Sequence, residues 1–385
     1  MKRTVVRHNA IPDELLHNES LNAAIAKLPS NYNFEIHKTI HRINQVGAKT
    51  VCLQFPEGLA VYACAIADII RHFAHVKVIV MGDVSYGACC VDDYSAKRLG
   101  ADFMVHYGHS CLIPIQVTQI PVLYIFVELK INVDHLVKSI LANVPDDQRI
   151  ALLGTIQFSQ AIHQAAAALK PHYPEVIIPQ EKPLSRGEVL GCTSPFMPTT
   201  DCMIFIADGR FHVESAMITN PNVRALRYNP YTLEMTEEEY DLTKMTRLRS
   251  AEVEKARSCK HWGIILGTLG RQGNIKLLER LQTLLKQRNI EYDVVLLSEI
   301  SNATLTRMTH IDCWVQLACT RLSIDWGTEY EKPLLTCYEG MVALGEVEWK
   351  EQYPMDWYSA NGGIWANGTR SWSVCFSRGM KWRGI

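Results

Sequence analysis

Three cysteines stand where a thiol can be put to chemical use, just past an apolar run. Cys89 lies with Cys90 in GDVSYGACCVDD, which follows the run VKVIVM; Cys192 lies in VLGCTSP and Cys319 in QLACTRLSIDWG. Open α/β sheets place their ligands beyond the carboxyl ends of strands. Thiolates are soft ligands suited to zinc or iron–sulfur chemistry. An iron–sulfur cube held by three cysteines leaves one iron without a protein ligand, open to a substrate or able to act as a Lewis acid. Spacing alone does not single out such a site. The chain has no CxxC or ferredoxin run, and three distant cysteines among 12 are ordinarily unrelated. The adjacent Cys90 also leaves open which thiol of the pair would ligate.

The segments that must position these thiols alternate short β-branched runs with helical patterns, the mark of parallel α/β architecture. A first set of strands reads TVCLQF, VKVIVM, DFMVHY and VLYIFV; a second IALLGT, EVIIPQ, DCMIFIA and VRALRYN; a third WGIILGT, YDVVLLS, DCWVQLA and PLLTCY. The third strand of each set opens on an aspartate (Asp102, Asp201, Asp312). The first strands of the second and third sets end in Leu153-Gly-Thr and Leu266-Gly-Thr. The pattern predicts an α/β chain of three related domains, each a small four-stranded, mostly parallel sheet flanked by helices, arranged around a central site. The expected boundaries are an N-terminal helical extension (1–48), domain one with Cys89 (49–147), domain two with Cys192 (148–258), domain three with Cys319 (259–346) and a C-terminal extension (347–385). Helical patterns are expected around Asp13 to Leu28 and Asn33 to Val46. The charged stretch Glu234 to Arg257 reads as a long connector helix on the surface. The extension offers Trp357, Trp365 and Trp372 for docking over another domain.

Composition sets the class. With 48% hydrophobic and 21% charged residues and a formal net charge of -1, the chain reads as an ordinary soluble protein without the basic footprint of a general nucleic-acid or anionic-membrane binder. A local basic groove balanced by acids elsewhere is compatible with that sum. The N-terminus has no apolar run of a secretory signal, and no stretch approaches the ~20 apolar residues of a membrane span. A cytosolic or nuclear setting with mostly reduced cysteines is expected. Cys52, Cys64 and Cys202 read as buried small apolar residues.

The motifs LQFPEGL, GDVSYGACCVDD, HYGHSCL, LGCTSP, ADGRFH, LGTLGRQGN and CTRLSIDWG resemble those of the diphthamide biosynthesis radical enzymes, over almost all of residues 48 to 345. That resemblance implies three α/β domains, each giving one cysteine to a central [4Fe–4S] cluster: Cys89, Cys192 and Cys319, with Cys90 a bystander. Thr320 departs from the family pattern, which has proline there. The implied reaction transfers the 3-amino-3-carboxypropyl group of S-adenosylmethionine to a histidine of elongation factor 2, releasing methylthioadenosine. The implied partners are a paralogous synthase subunit 2 in a heterodimer and a small metal-bearing electron donor, with elongation factor 2 as protein substrate. Membrane and direct nucleic-acid partners are not expected.

For S-adenosylmethionine, the candidates are Gly270, Arg271, Gly273 and Asn274 in the strand-to-helix run after Leu266, and His109. The run's amides could face an anionic group, and Arg271 could pair with the methionine carboxylate. A tight turn with a solvated arginine explains the run equally well. A dinucleotide fingerprint fails, because the spacing is GxxGxxG. His106 and His109 could carry protons or simply hydrogen-bond within a turn. Asp92, Asp93 and Asp325 read as loop or cap residues, and Glu57 reads either as an adenosine contact or as a helix-terminus carboxylate. Three other readings compete: a non-catalytic scaffold paralogue, a hydro-lyase of the quinolinate synthase type, and a zinc-stabilised interaction protein.

Overall fold

A computed structural model describes residues 10–83 and 85–368, so Trp372 lies outside the described residues. The chain forms two compact units, one up to Lys130 and one from Ile131 onward.

The first unit contains β1 (Tyr32–Asn33), β2 (Thr50–Gln54), β3 (Lys77–Val80), β4 (Phe103–Tyr107), β5 (Val122–Ile125) and β6 (Glu128–Leu129). Its parallel sheet runs β3-β2-β4-β5, and β1 pairs with β6. The N-terminal segment joins this core. In the helix Ile36–Val46 the buried residues Ile36, Ile40 and Ile43 recur on one face. They pack with Leu21, Ile66, Ile70, Phe103 and Val105. Each such side chain removed from water contributes about 1.5–3 kcal/mol.

The second unit holds β7 (Arg149–Gly154), β8 (Glu175–Ile177), β9 (Cys202–Ile206), β10 (Arg224–Asn229), β11 (Glu234–Glu238), β12 (His261–Gly267), β13 (Glu291–Leu297), β14 (Cys313–Leu317) and β15 (Leu334–Leu335). They build two sheets, β11-β10-β9-β7-β8 and β13-β12-β14-β15. Counted in chain order within each set, all three main sheets run second-first-third-fourth; the middle sheet adds β11 as a fifth strand beyond the four expected, and every pairing is parallel except that of β11 with β10. Among the described residues no helix is long and apolar enough to cross a membrane.

The repeated aspartates have one physical role. Asp102 accepts from the backbone N–H groups of Lys49 and Thr50, Asp201 from that of Arg149, and Asp312 from those of Lys260 and His261. Each carboxylate at the start of a third strand thus ties down the start of its neighbouring first strand. Those hydrogen bonds hold the Asp312 carboxyl below the usual range.

The stretch Glu234 to Arg257 differs from the expected single surface helix. Its first part is the edge strand β11, antiparallel to β10 and pinned by Arg224 to Glu237 at 2.8 Å and Arg227 to Glu238 at 2.7 Å. Only Leu242–Arg257 is helical, starting at the Asp241 cap. One face of it is buried: Arg249 makes a two-pronged ion pair with Glu339, at 2.8 and 2.6 Å, on the helix Cys337–Ala343. Glu339 also accepts from the Tyr353 hydroxyl and the Thr336 N–H, so both carboxylate oxygens are satisfied, while the buried Arg249 Nη1 has no partner.

Candidate functional site

Cys89 and Cys90 lie in a short 3-10 turn, Ala88–Cys90, beyond β3. Cys90 is buried, 2% exposed, whereas Cys89 is half-buried. A polar relay holds the turn from below. The buried Gln54 at the end of β2 donates its amide to the Cys90 carbonyl at 2.9 Å and receives the Asp92 N–H. His106 Nδ1 faces Gln54 Oε1 at 2.8 Å, and its Nε2 faces His109 Nδ1 at 3.1 Å. These partners are all satisfied by a neutral His106 protonated at Nδ1. His106 is fully buried, and burial first, with His109 second, keeps its pKa well below the usual histidine value.

The sign follows from which state binds the proton. Between the folded pKa and the unfolded value near 6.5, the unfolded chain takes up the proton and the native one does not. This stability is therefore complete above about pH 6.5 and is lost, at up to about 1.4 kcal/mol per pH unit, as pH falls toward the folded pKa. Melting curves between pH 7.5 and 5 should show a shallower acid loss in His106→Asn than in the parent chain. Equal slopes would assign the acid sensitivity to other groups.

Cys192 and Cys319 belong to the second unit, and the structure ties their settings together. Cys192 is half-buried in a turn closed by the reciprocal Leu190 and Thr193 backbone bonds. A Cβ at Gly191 would sit 2.1 Å from the Phe211 ring, so only glycine lets the turn approach that ring. Cys319 is half-buried at the N-cap of the helix Thr320–Trp326, immediately past β14. Thr320 takes the first helical position, where proline is favoured, so its presence leaves the helix start intact. The buried Gln316 donates to the Cys319 carbonyl at 2.7 Å and accepts from the Ala318 N–H. It supports this turn as Gln54 supports the turn at Cys90.

Arg321 joins the two settings. Its guanidinium, on the Cys319 helix, donates to the carbonyls of Phe211 (2.6 Å) and Gly191 (3.4 Å), the residue before Cys192. It also pairs with Glu214 at 2.5 Å and Asp325 at 2.9 Å and lies over the Phe211 ring at 4.3 Å. Burial raises the Asp325 pKa while Arg321 pulls it down.

The C-terminal extension lies along the same turn. The Trp357 N–H donates to the Cys192 carbonyl, the Ser194 N–H to Met355, and the Tyr358 N–H to the Thr193 hydroxyl. Trp357 and Trp365 are both buried. Asn367 donates to the Gln272 carbonyl and accepts from Asn274 at 2.7 Å, so the extension also grips the glycine-bearing run. In that run Gly270 has φ +55, and a Cβ on Gly273 would lie 2.4 Å from the Gly267 carbonyl oxygen. Asn274 caps the helix Ile275–Gln287. Arg271 is buried at 7% exposure, which overturns the solvated-arginine alternative.

The remaining candidates resolve individually. Asp92 caps the helix Asp93–Arg98 through the Ser95 N–H, and the buried Asp93 accepts from the Gln119 N–H. Asp325 is an ion-pair partner rather than a cap. Glu57 is exposed in the first turn of Glu57–Ala60. Cys52 and Cys202 are buried as expected, but Cys64 is exposed, because it lies on the outward face of the amphipathic helix Ala63–Ala74. The buried glutamines and Arg321 are absent from the sequence-derived candidates. Their only advance signal is a polar residue inside an otherwise apolar strand, or an arginine two residues past a candidate cysteine.

Comparison with known proteins places these features in a family. The family described as "Putative diphthamide synthesis protein" matches residues 55–354. The chain is 51% identical over 366 residues to 2-(3-amino-3-carboxypropyl)histidine synthase subunit 1 of Dictyostelium discoideum, covering 93% of this chain and 78% of that protein. It is 52% identical over 361 residues to the Homo sapiens protein of the same name, covering 93% and 82%. Among solved structures, Dph2 from Pyrococcus horikoshii with a 4Fe–4S cluster matches with a TM-score of 0.70 at 25% identity, over 84% of this chain and 93% of that one. The chain belongs to the diphthamide synthesis protein family.

Proposed function

We propose that this chain is the catalytic, cluster-bearing subunit for the first step of diphthamide formation, transferring the 3-amino-3-carboxypropyl group of S-adenosylmethionine to a histidine of elongation factor 2. One observation carries the reading. Each of three sheets with the same strand order has one half-buried cysteine in a turn past its strands: Cys89, Cys192 and Cys319. Three thiols fit the donor set of a cluster with one open iron, and the likeness to the cluster-bearing Pyrococcus protein supports the same assignment. We read the sheets as three domains, 49–147, 148–258 and 259–346, each giving one cysteine ligand, with residues 1–48 and 347–385 as extensions.

When bound, the [4Fe–4S] cluster would supply the electron that cleaves the bond between the sulfonium sulfur and the methionine γ-carbon of S-adenosylmethionine. The chain's own part is to hold and orient. Cys89, Cys192 and Cys319 would be the ligands, while the buried Cys90 stays a bystander. Gln54, Gln316 and Arg321 fix the turns that present the thiols. Arg271 would take the methionine carboxylate in a forked ion pair. Backbone at Gly270 and Gly273 would give room for the cofactor, with Asn274 keeping that loop in place, and His109 would hydrogen-bond to substrate or carry a proton. Such control is positional, and small misplacements cost orders of magnitude in rate.

The proposed partners are the paralogous synthase subunit 2, a small metal-bearing electron donor and elongation factor 2, in the cytoplasm or the nucleus. The test is anaerobic turnover of labelled S-adenosylmethionine with both subunits, reductant and elongation factor 2. Methylthioadenosine and a labelled histidine are expected. Absence of methylthioadenosine would contradict the reading, as a hydro-lyase predicts. Full turnover with Cys319→Ala in this chain would assign it the scaffold role instead.

A further inference from the structure

At the amino-terminal end of the third sheet, away from the turn that carries Cys319, a second group of metal-ligating side chains meets. His261 opens β12, Asp293 is the third residue of β13, and His310 lies in the loop before β14. The Nε2 atoms of His261 and His310 stand 3.1 and 2.7 Å from the same oxygen, Asp293 Oδ2. All three ligand atoms lie within 4.8 Å of one another. The rings are 5.1 Å apart and nearly perpendicular at 81°, so the histidines converge on the carboxylate rather than stack.

The sheet builds this cluster. Register pairs His261 with Glu291, and the two-residue period of a strand puts Glu291 and Asp293 on one face. Glu291 lies 3.4 Å from the other ring nitrogen of His261, Nδ1. A carboxylate behind a histidine, with the opposite nitrogen turned toward a shared point, is the second shell that orients a ligating imidazole. Proton placement sharpens the point. With Nδ1–H directed to Glu291, a neutral His261 presents a lone pair at Nε2 toward an anionic oxygen. A divalent ion between them would satisfy both.

We propose that His261, Asp293 and His310 form a zinc-class binding site, separate from the cysteine chemistry. Two imidazoles and one carboxylate suit Zn²⁺ and its neighbours rather than Mg²⁺ or Ca²⁺. Bonds of about 2.0–2.1 Å in a tetrahedral set keep ligands roughly 3.3 Å apart, so binding needs only a small opening of the two histidine-to-carboxylate distances and a histidine separation within the present 4.8 Å limit. Side-chain exposures of 24%, 49% and 58% leave the site reachable and a fourth position for water. The ion would clip the loop before β14 to β12 and β13.

The test uses the full chain with its cluster reconstituted, so that the cluster cysteines are occupied. Zn²⁺ is titrated in competition with a chromogenic chelator, and Co²⁺ is then used as a spectroscopic substitute. The parent chain should bind one more zinc than His310→Ala or Asp293→Asn, with affinity falling at least about tenfold in each. Glu291→Gln should weaken binding about tenfold, the low end for a partner behind a ligating histidine. His310 is exposed, so its loss should leave the circular dichroism spectrum unchanged. Equal stoichiometry and affinity in parent, His310→Ala and Asp293→Asn would overturn the site. So would a thiolate-to-cobalt charge-transfer band in the parent, which would place the ion on cysteines.

Discussion

Replacing Cys319 by alanine is expected to reduce reconstituted iron from about four atoms per chain to well below one, with methylthioadenosine formation falling at least about a thousandfold. Cys89→Ala and Cys192→Ala should do the same. The half-buried settings mean that losing one sulfur costs little packing, so melting of the apo chain should move far less than iron content does. Cys90→Ala gives the opposite pattern. Its thiol is buried, and the contact that holds its turn runs through the backbone carbonyl to Gln54, which alanine retains. Iron should persist, and any change should appear in stability. Iron lost from Cys90→Ala but kept in Cys89→Ala would reverse the assignment.

The second large effect is expected at Arg321. Arg321→Leu would leave Asp325 without its cation, Glu214 with only the exposed Arg210 at 3.6 Å, and the Phe211 carbonyl without its donor, at a cost of about 3–5 kcal/mol for breaking a buried pair. Burial already raises the Asp325 pKa, and removing Arg321 raises it further. A raised carboxyl pKa gives stability that is present at low pH and lost as pH rises through the folded value. The variant should therefore be hurt most at neutral pH and partly relieved by acid. Arg321→Lys is the sharper probe. It keeps the charge but not the planar fork that reaches Phe211, Gly191 and Glu214 together. It should fold yet show a broadened resonance signal and a shifted reduction potential, because the Cys192 turn is no longer fixed to the Cys319 helix. A folded Arg321→Lys chain with an unaltered signal would confine Arg321 to stability alone.

Much of the architecture is legible in the sequence. Apolar β-branched runs alternating with helical patterns mark the strands of the main sheets. The repeated aspartates were visible as a pattern, though their bonding to neighbouring strand starts was not. What stayed hidden has a common cause: partners far apart in the chain. Gln54 and Gln316 sit in apolar runs, and only the fold shows that each supports a cysteine turn. The sequence EMTEE is rich in helix formers, yet Arg224 and Arg227 on β10 make it an edge strand. Arg249 reads as a surface charge until Glu339 arrives from 90 residues away. The cluster of His261, Asp293 and His310 is assembled from two strands and a loop and has no motif at all.

The most direct test of the central claim is electron paramagnetic resonance of the anaerobically reconstituted, reduced chain, with and without S-adenosylmethionine. A cluster held by three thiols keeps one iron open, so a reduced-cluster signal should appear and change when S-adenosylmethionine is added. A signal unmoved by S-adenosylmethionine, or no cluster signal from a fully folded chain, would contradict the account.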